Sequence, residues 1–521
     1  MEHNIPKEQF RFVPPERRLA QQTDHHKPVG YFRDAWNRFR KNKASVVAAV
    51  IILSIVLYSV LTPLLITARD ATTLCTTYAK KPARVAALRN WGIADGGVKN
   101  MKPEAALVML NGIAVGAESR GDTILSFGQV QDSDYQPILK IDDPITQARP
   151  GDKVATYYPT TVDAYLEVGF TYIIVSQPEY QKILSWQQET GLQVIYPMID
   201  TKNEFCYRPA NANMWYKTQG KGIPVSVDAN GNITQLSYGD DLVLEDNYKR
   251  DAQGNLVYVQ YTDSTYIESA QVRLRVLYYN YYRYRYGCEP NYLLGTDAQG
   301  YDLALRIAGG IRLSLLVAVC VSVINFVIGA AYGAIAGYYG GTTDLLMSRV
   351  TDILDGLPFV VLATLFQIHL AQKVGAIGSL LFAYVLTGWI GTASRVRTQF
   401  YRFKTQEYVM AARTLGASHR RIIWKHIFPN TLGTLITSSA LVIPGVILTE
   451  SMLSFLGILN LGTPKLTSLG TLLSDAGRSW TSYPHLLLYP ALVISLLMIC
   501  FNLFGNGLRD AFNPALRGVE D

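Results

Sequence analysis

Apolar residues gather in six long stretches along this chain, and one long polar tract separates the first stretch from the other five. The first runs from Ala44 to about Ile66 without a charged residue. A helix needs about 20 apolar residues to cross a hydrocarbon core, so the pattern predicts a spanning helix. A signal peptide is the alternative, but its apolar core would be shorter and nearer the N-terminus. Five more stretches follow near 313–337, 353–372, 376–394, 428–449 and 485–508. The third of the six is the least uniform, with His369, Gln367 and Gln372 inside or at its edge. Polar residues in a membrane helix usually face protein or a water-filled path. The pattern predicts six transmembrane helices.

Around these stretches the periodicity changes. Residues 1–30 are polar, contain Pro14-Pro15 and show no apolar period, as expected of a loose tail. In 31–43, Phe32, Ala35, Trp36 and Phe39 recur at helical spacing, while Arg33, Arg38, Arg40, Lys41 and Lys43 fill other positions. That is an interfacial amphipathic helix, or else a solvated basic linker. The second apolar stretch carries Gly329, Gly333 and Gly337, a doubled G-x-x-x-G. Small residues four apart let two helix backbones approach closely. The contact serves gating on one reading and ordinary helix packing on the other.

The polar tract, 67–290, has the pattern of a folded α+β domain. Pro178 to Gly191 is bounded as a helix, with Pro at its start and Gly at its end. Asn230-Gly231 separates two β-rich runs, Ile223–Val227 and Ile233–Leu236, as a hairpin turn would. Leu256–Tyr261 and Val272–Tyr279 are β-rich as well. Six tyrosines between Tyr278 and Tyr286 crowd around Arg283 and Arg285. Tyr and Arg are enriched at protein contacts, which makes Tyr278, Tyr282, Arg283 and Arg285 candidates for docking a partner. Aromatic packing at the membrane interface is the alternative.

Charge then orients the chain. The 521 residues carry a formal net charge of +7, which invites a nucleic-acid reading. The excess, however, lies beside the apolar stretches, at 1–43 and 395–426, whereas 67–290 holds 22 Lys+Arg against 25 Asp+Glu. Basic flanks of membrane spans are retained in the cytoplasm. The N-terminus is therefore expected inside and the tract outside. Counting spans from there puts the loop 395–427 inside, and it holds eight Lys+Arg against one acid, Glu407. Six spans return the C-terminus to the inside. The expected domains are a tail and interfacial helix at 1–43, the first span at 44–66, the extracytoplasmic insertion at 67–290, and a core at 291–521. Of the cysteines, Cys320 and Cys500 fall in apolar stretches, while two among Cys75, Cys206 and Cys288 can pair if the tract is outside.

The chemistry available excludes several classes. The tract 67–290 has no histidine, so neither a His-ligated metal site nor a Ser-His-Asp triad can be built in it. A membrane-anchored ectoenzyme would be confined to carboxylate chemistry and would need one span. A sensor would need a larger cytoplasmic part. No G-x-x-x-x-G-K-[ST] occurs, so the backbone cradle for nucleotide phosphates is missing. The residues point to no catalytic site and no metal.

The inside loop is the most informative segment. Glu407 to Leu415 are good helix formers, Gly416 permits a sharp turn with positive φ, and Ser418 can cap a second helix running to Pro429. The small Ala411 and Ala412 leave room for a partner to approach. A surface hairpin without a partner is the bland alternative. Glu407, Ala411, Ala412, Gly416, Ile427 and Pro429, as spaced here, resemble the EAA loop of binding-protein-dependent ABC importers, which makes Glu407, Ala411, Ala412, Arg413, Gly416, Ala417, Ser418 and Pro429 the expected coupling residues. That resemblance implies docking into a groove on an ATPase subunit.

Further segments resemble the C-type permease of dipeptide and oligopeptide importers. They are Leu294–Asp302 with Arg306, Gly310, Arg312, Ser314 and Leu315; Gly337–Gly341 with Asp344, Met347, Arg349, Asp352 and Pro358; Ser454–Gly457; and Gly507–Asp510. Tyr301, Leu305, Leu469 and Asn506 depart from residues usual in that family, which are Arg, Ser, Trp and Asp. The resemblance implies an all-α polytopic permease of the type I importer fold, interrupted here by the α+β insertion. It implies a second homologous permease, two ATPase subunits that hold the ATP and magnesium, and an extracellular substrate-binding lipoprotein. The cargo implied is a peptide, with nickel chelates or another small solute as alternatives.

Overall fold

The computed structural model describes residues 31–66, 72–89, 91–118, 124–126, 135–149, 153–235, 241–261, 271–459, 461 and 467–512. The expected tail at 1–30 lies outside them. Helices α1 (Tyr31–Lys41) and α2 (Lys43–Leu65) come first. In α1, Ala35 and Phe39 are buried against Phe504, Leu508 and Ala511 near the other end of the chain, while Trp36 is turned outward. Asp34 and Arg38, one turn apart, form an ion pair. The Asn42 side chain then accepts the Ser45 N–H at 3.2 Å, a cap that starts α2.

Between α2 and the next long helix the described residues form small antiparallel sheets, single helical turns at Thr76–Tyr78 and Ala86–Arg89, and three longer helices: α3 (Glu104–Ala117), α4 (Gln177–Thr190) and α5 (Tyr278–Tyr286). The longest strand, Lys153–Asp163, pairs with Gly97–Lys102, Ile138–Ile141 and Ile145–Arg149. Gln271–Leu277 pairs with Phe170–Ser176, Val259–Tyr261 and Ile195–Tyr196. A third sheet runs in the order Ile233–Thr234, Ser226–Val227, Asp241–Leu244, Ile124–Ser126. These elements close over a core of Leu107, Leu110, Ile113, Phe170, Tyr196 and Trp215. The Trp215 indole N–H donates to Gly112 O at 2.9 Å, so its single polar atom is satisfied inside.

Helix α4 has the expected ends, with Pro178 in its first turn and Gly191 closing it at φ +71°. The hairpin at Asn230-Gly231 differs in detail. Strands Ser226–Val227 and Ile233–Thr234 do pair, but a five-residue loop joins them, closed by Asp228 accepting from the N–H groups of Asn230 and Asn232. Ile223–Pro224 leaves that hairpin and pairs with Thr218–Gln219 instead. The β-rich run at Val272–Tyr279 ends as a strand at Leu277, and Tyr278 begins helix α5.

The rest is helical: α6 (Leu303–Tyr339), α7 (Gly341–Asp355), α8 (Phe359–Thr387), α9 (Ile390–Phe403), α10 (Glu407–Thr414), α11 (Phe428–Ala440), α12 (Val442–Phe455), α13 (Leu469–Ala476) and α14 (Pro484–Phe512). Among the described residues, five helical segments are long and apolar enough to cross a membrane: Lys43–Leu65, Leu303–Tyr339, Phe359–Phe403, His419–Phe455 and Pro484–Phe512. The stretches expected separately at 353–372 and 376–394 thus fall largely within one 45-residue segment. That segment is not a straight rod. Gly375 sits at φ 80°, ψ 164° and breaks α8 in its middle, a conformation that only glycine adopts without steric cost.

Candidate functional site

Helix α9 leads into the hairpin that contains α10. Its turn is a Schellman motif: Ala417 N donates to Ala412 O and Gly416 N to Arg413 O, both at 3.0 Å. Gly416 stands at φ +81° with open space around its missing side chain, so its conformation, not crowding, requires glycine. Ser418 Oγ accepts the Arg421 N–H at 3.4 Å and caps the following helix.

That helix does not stop at Pro429. His419–Arg421 passes through a π-helical segment, Ile422–Ile427, and continues as α11 to Ala440. A proline inside a helix lacks a donor and crowds the carbonyl four residues back. The wider π turn just before Pro429 absorbs that conflict, so the sequence signal for a stop marks a change of pitch instead. The hairpin and the apolar helix beyond it are consequently one continuous piece.

The hairpin has two faces. Val409, Ile422, Ile423 and Ile427 are buried against Ala330, Ala334 and Tyr338 of α6 and Val396 and Phe400 of α9. Tyr338 OH lies 2.7 Å from His419 Nδ1, and Asn430 Nδ2 donates to Tyr408 OH at 3.3 Å and to His426 O at 2.8 Å. The other face is open. Glu407, Ala411, Arg413, Gly416, Ser418 and Pro429 are exposed, and Ala412 and Ala417 are half-buried. Leu415, at 88% exposure, stands at the turn, and Met410, Tyr408 and Trp424 of the hairpin are exposed as well. The spacing of the motif does not flag Leu415, Met410 or Trp424. An apolar residue directly before the turn glycine was the available signal.

The three glycines of the second apolar stretch meet α9. A methyl group on Gly329 would lie 2.7 Å from Thr392 Cβ, one on Gly333 2.3 Å from Ala393 O, and one on Gly337 2.7 Å from Arg397 O. Beside this contact, Asp344 of α7 accepts both Arg397 Nη2, at 2.6 Å, and Tyr401 OH, at 2.7 Å, and Lys404 Nζ donates to Gly337 O at 3.0 Å. The hairpin thus hangs from a tightly packed pair of helices.

A second polar centre lies within the helices and was not anticipated. Glu450 of α12 is 1% exposed. Its carboxyl meets Ser314 Oγ of α6 at 3.0 Å and Ser454 Oγ at 3.2 Å, and Ser314 Oγ also accepts the Leu469 N–H that begins α13, at 3.4 Å. Glu450 sits in an otherwise apolar run, the signal that marks an ionisable group inside a membrane as worth attention.

The four docking candidates in the insertion do not form a surface. Tyr282 is 1% exposed and packs among Tyr78, Tyr286 and Tyr292. Tyr278 stands edge-on to Tyr78 at 4.9 Å, and burial raises its phenol pKa to about 12. Arg283 is half-buried, and Arg285 alone of the four is exposed. The reason is helical: 278 and 282 lie one turn apart on α5 and share the face turned to the core. Cys75, Cys206 and Cys288 form no disulfide in the structure; Cys75 Sγ lies 3.4 Å from Tyr286 OH.

Comparison with known proteins fits this arrangement. The family model for the binding-protein-dependent transport system inner membrane component matches residues 329–518, and that for the N-terminal TM domain of oligopeptide transport permease C matches residues 30–78. The oligopeptide transport system permease protein OppC of Haemophilus influenzae is 44% identical over 231 residues, 43% of this chain and 71% of that protein. The chain belongs to this family. OppC of Bacillus subtilis is 41% identical over 43% of this chain and 72% of that protein. The dipeptide transport system permease protein DppC of Bacillus subtilis is 41% identical over 43% and 68%. Among solved structures, a chain of the inward-facing MetNI methionine ABC transporter is 17% identical and covers 40% of this chain and 96% of that one, with a TM-score of 0.32. As a family member the chain is a polytopic membrane permease of an ABC importer, not an enzyme. The hairpin and the glycine contact lie within the matched permease region, and residues 79–328 lie outside both family matches.

Proposed function

We propose that the chain is one permease of a heterodimeric peptide importer, driven through its hairpin by separate ATPase subunits. The observation that carries this is the hairpin itself: an inner face locked to α6 and α9, an open apolar tip at Leu415, and an unbroken helical path from Ser418 into α11. A partner that grips the tip moves the helices as a rigid body. The relatives named for oligopeptides and dipeptides support peptide cargo. ATP and magnesium belong on the two ATPase subunits, and this chain holds no cofactor. The remaining partners are a second homologous permease, an extracellular substrate-binding lipoprotein and the lipid bilayer; nucleic acid has no part.

The proposed topology has six crossings of a bacterial plasma membrane, with both termini inside. A straight helix of 45 residues would be about 68 Å long, more than twice the hydrocarbon thickness of about 30 Å. The break at Gly375 supports counting Phe359–Phe403 as two crossings. The insertion 67–290 then stands outside, where it helps to seat the binding protein over the pore.

The decisive experiment is substitution in the hairpin. Gly416→Pro removes the Schellman turn, and Glu407→Arg reverses the charge at the N-terminus of α10, where an acid is favoured. Both variants are expected to assemble with the second permease yet abolish uptake and uncouple ATP hydrolysis from the binding protein. Normal uptake with normal coupled hydrolysis in both would refute the assignment.

A further inference from the structure

The insertion joins the helices through a neck whose two limbs are zipped together. Arg84 N donates to Tyr292 O at 2.9 Å and Tyr292 N to Arg84 O at 2.7 Å. Thr296 N donates to Lys81 O and Lys80 N to Asp297 O, both at 2.9 Å, and Cys75 N donates to Gly300 O at 3.2 Å. Thr296 Oγ1 accepts the Lys81 N–H at 2.8 Å and donates to Tyr78 O at 2.5 Å. The limbs are so close that a methyl on Gly295 would lie 2.3 Å from Lys81 O, and one on Gly300 2.3 Å from Cys75 O. Immediately after the neck, Asp302 caps α6 by accepting the Ala304 N–H at 3.0 Å. Neck and helix are therefore continuous.

Two side chains reach out of the neck: Leu294 packs against the cluster of Leu469, Leu472 and Leu486, and Lys80 carries a charge to the link beyond α13. Lys80 is held at φ +60°, a region disfavoured for any residue with a β-carbon. Such outliers persist only where the surroundings impose them, and they concentrate at working sites. The Lys80 ammonium donates to Ser479 Oγ at 3.2 Å and lies 5.5 Å from the centre of the Tyr483 ring. Ser479 and Tyr483 belong to the link between α13 and α14, which is itself a compact turn, with Ser479 N bonded to Ala476 O and Tyr483 N to Ser479 O, each at 2.9 Å. Helix α13 is wedged into the helical core. A methyl on Gly470 would lie 2.5 Å from Ser451 Cα, and one on Gly310 would lie 3.1 Å from Leu469 N. Glycine at position 80 would relieve the backbone but could not span the gap to Ser479.

We propose that Lys80 is a positioning residue for transport: it pins the neck of the insertion to the α13–α14 link, so that a binding protein seated on the insertion acts on α6 and α13 together. This rests on the reading of the insertion as the seat of the binding protein. Without the pin, the insertion still holds its partner and α6 still touches α13 through Gly310, but the movement reaches the α13–α14 link more weakly.

The test uses the complete importer in lipid nanodiscs, with its binding protein and a peptide cargo. Lys80→Met keeps the stem and removes the charge. It is expected to lower binding-protein-stimulated ATP turnover at least about fivefold, the low end of typical coupling between sites. Basal turnover, thermal unfolding temperature and the Kd of the binding protein for the complex should stay unchanged. Lys80→Arg should restore stimulation, and Ser479→Ala should add nothing in the Lys80→Met background. Normal stimulation in Lys80→Met overturns the proposal, as does an equal loss of basal and stimulated turnover or an additive effect of Ser479→Ala. The seat itself is tested separately by the Kd of the binding protein for a complex whose insertion is trimmed beyond the neck. An unchanged Kd there refutes the seat, while the Lys80 and Ser479 variants still report whether the neck and the link are coupled.

Discussion

The insertion and the first span are built from one chain for two different solvents, and their burial patterns are opposite. In α2 the buried residues are Ser45, Ala48, Ser59 and Thr62, while Val47, Val50, Leu53, Leu57, Leu61 and Leu64 point outward. Lipid tails are as apolar as leucine, so large side chains gain nothing by hiding, and helices meet through small residues. The insertion does the reverse. It buries Trp215, Tyr165, Tyr196, Tyr282 and Tyr292, as a domain facing water must. It also encloses two cations. Arg84 is held by Asp163 at 3.2 Å, Pro290 O at 3.0 Å and Tyr279 OH at 3.2 Å. Arg275 donates to Ala212 O at 2.8 Å and Pro197 O at 3.2 Å and lies 3.9 Å from the centre of the Phe170 ring. The lesson is that hydrophobicity alone does not report burial. Which residues are inside depends on what surrounds the fold.

Three substitutions sharpen or break this contrast. The largest effect is expected from Arg84→Ala. It leaves the fully buried Asp163 without its main partner, a change that typically costs about 3–5 kcal/mol. Arg89, 3.5 Å from the same carboxylate, offsets part of this. Limited proteolysis of the full permease should then cut the insertion while the helical core stays resistant. Simultaneous loss of the core would show that the two regions are not separate folding units.

Next comes Gly333→Val in the core, where the first added carbon already meets Ala393 O at 2.3 Å. Overpacking costs about 1–3 kcal/mol, and here the obstacle is backbone. The thermal unfolding temperature of the detergent-solubilised permease should fall while the insertion keeps its protease resistance; an unchanged unfolding temperature would contradict the α6–α9 contact. The smallest effect belongs to Gly416→Ala. No atom crowds the position, so only the left-handed conformation resists the change, at about 1–2 kcal/mol. Stability of the permease should fall slightly, and coupled ATP turnover should fall with retained assembly. A stabilised variant would mean that the turn at Gly416 is not left-handed.

The legible parts of the fold were those written locally. The apolar stretches are plain because a spanning helix must satisfy lipid along its whole length. The turn at Gly416 and the cap at Ser418 are plain because each depends on one residue and its immediate neighbours. Pro429 misled because a π turn several residues earlier removes the conflict that proline creates. Gly375 was silent because one glycine among apolar residues does not announce its φ. In the insertion the sheets pair residues far apart, such as Ile124–Ser126 with Asp241–Leu244, and no local signal carries that. The tyrosine run between 278 and 286 looks like a surface in composition, yet its helical period turns Tyr278 and Tyr282 toward Tyr78, a neighbour brought in from the far limb of the neck.

The reciprocal hydrogen bonds between Arg84 and Tyr292 also have an architectural consequence. More than 200 residues leave and return through a gap the width of one antiparallel pair, a gap that two-residue turns close in ordinary hairpins. To the helices, everything beyond that pair is a loop of arbitrary length, since their geometry senses only where the two ends are held. Such a gateway makes the transporter a chassis. Payloads of different size and purpose can be exchanged at it over evolutionary time, or by design, without renegotiating the fold of the membrane part.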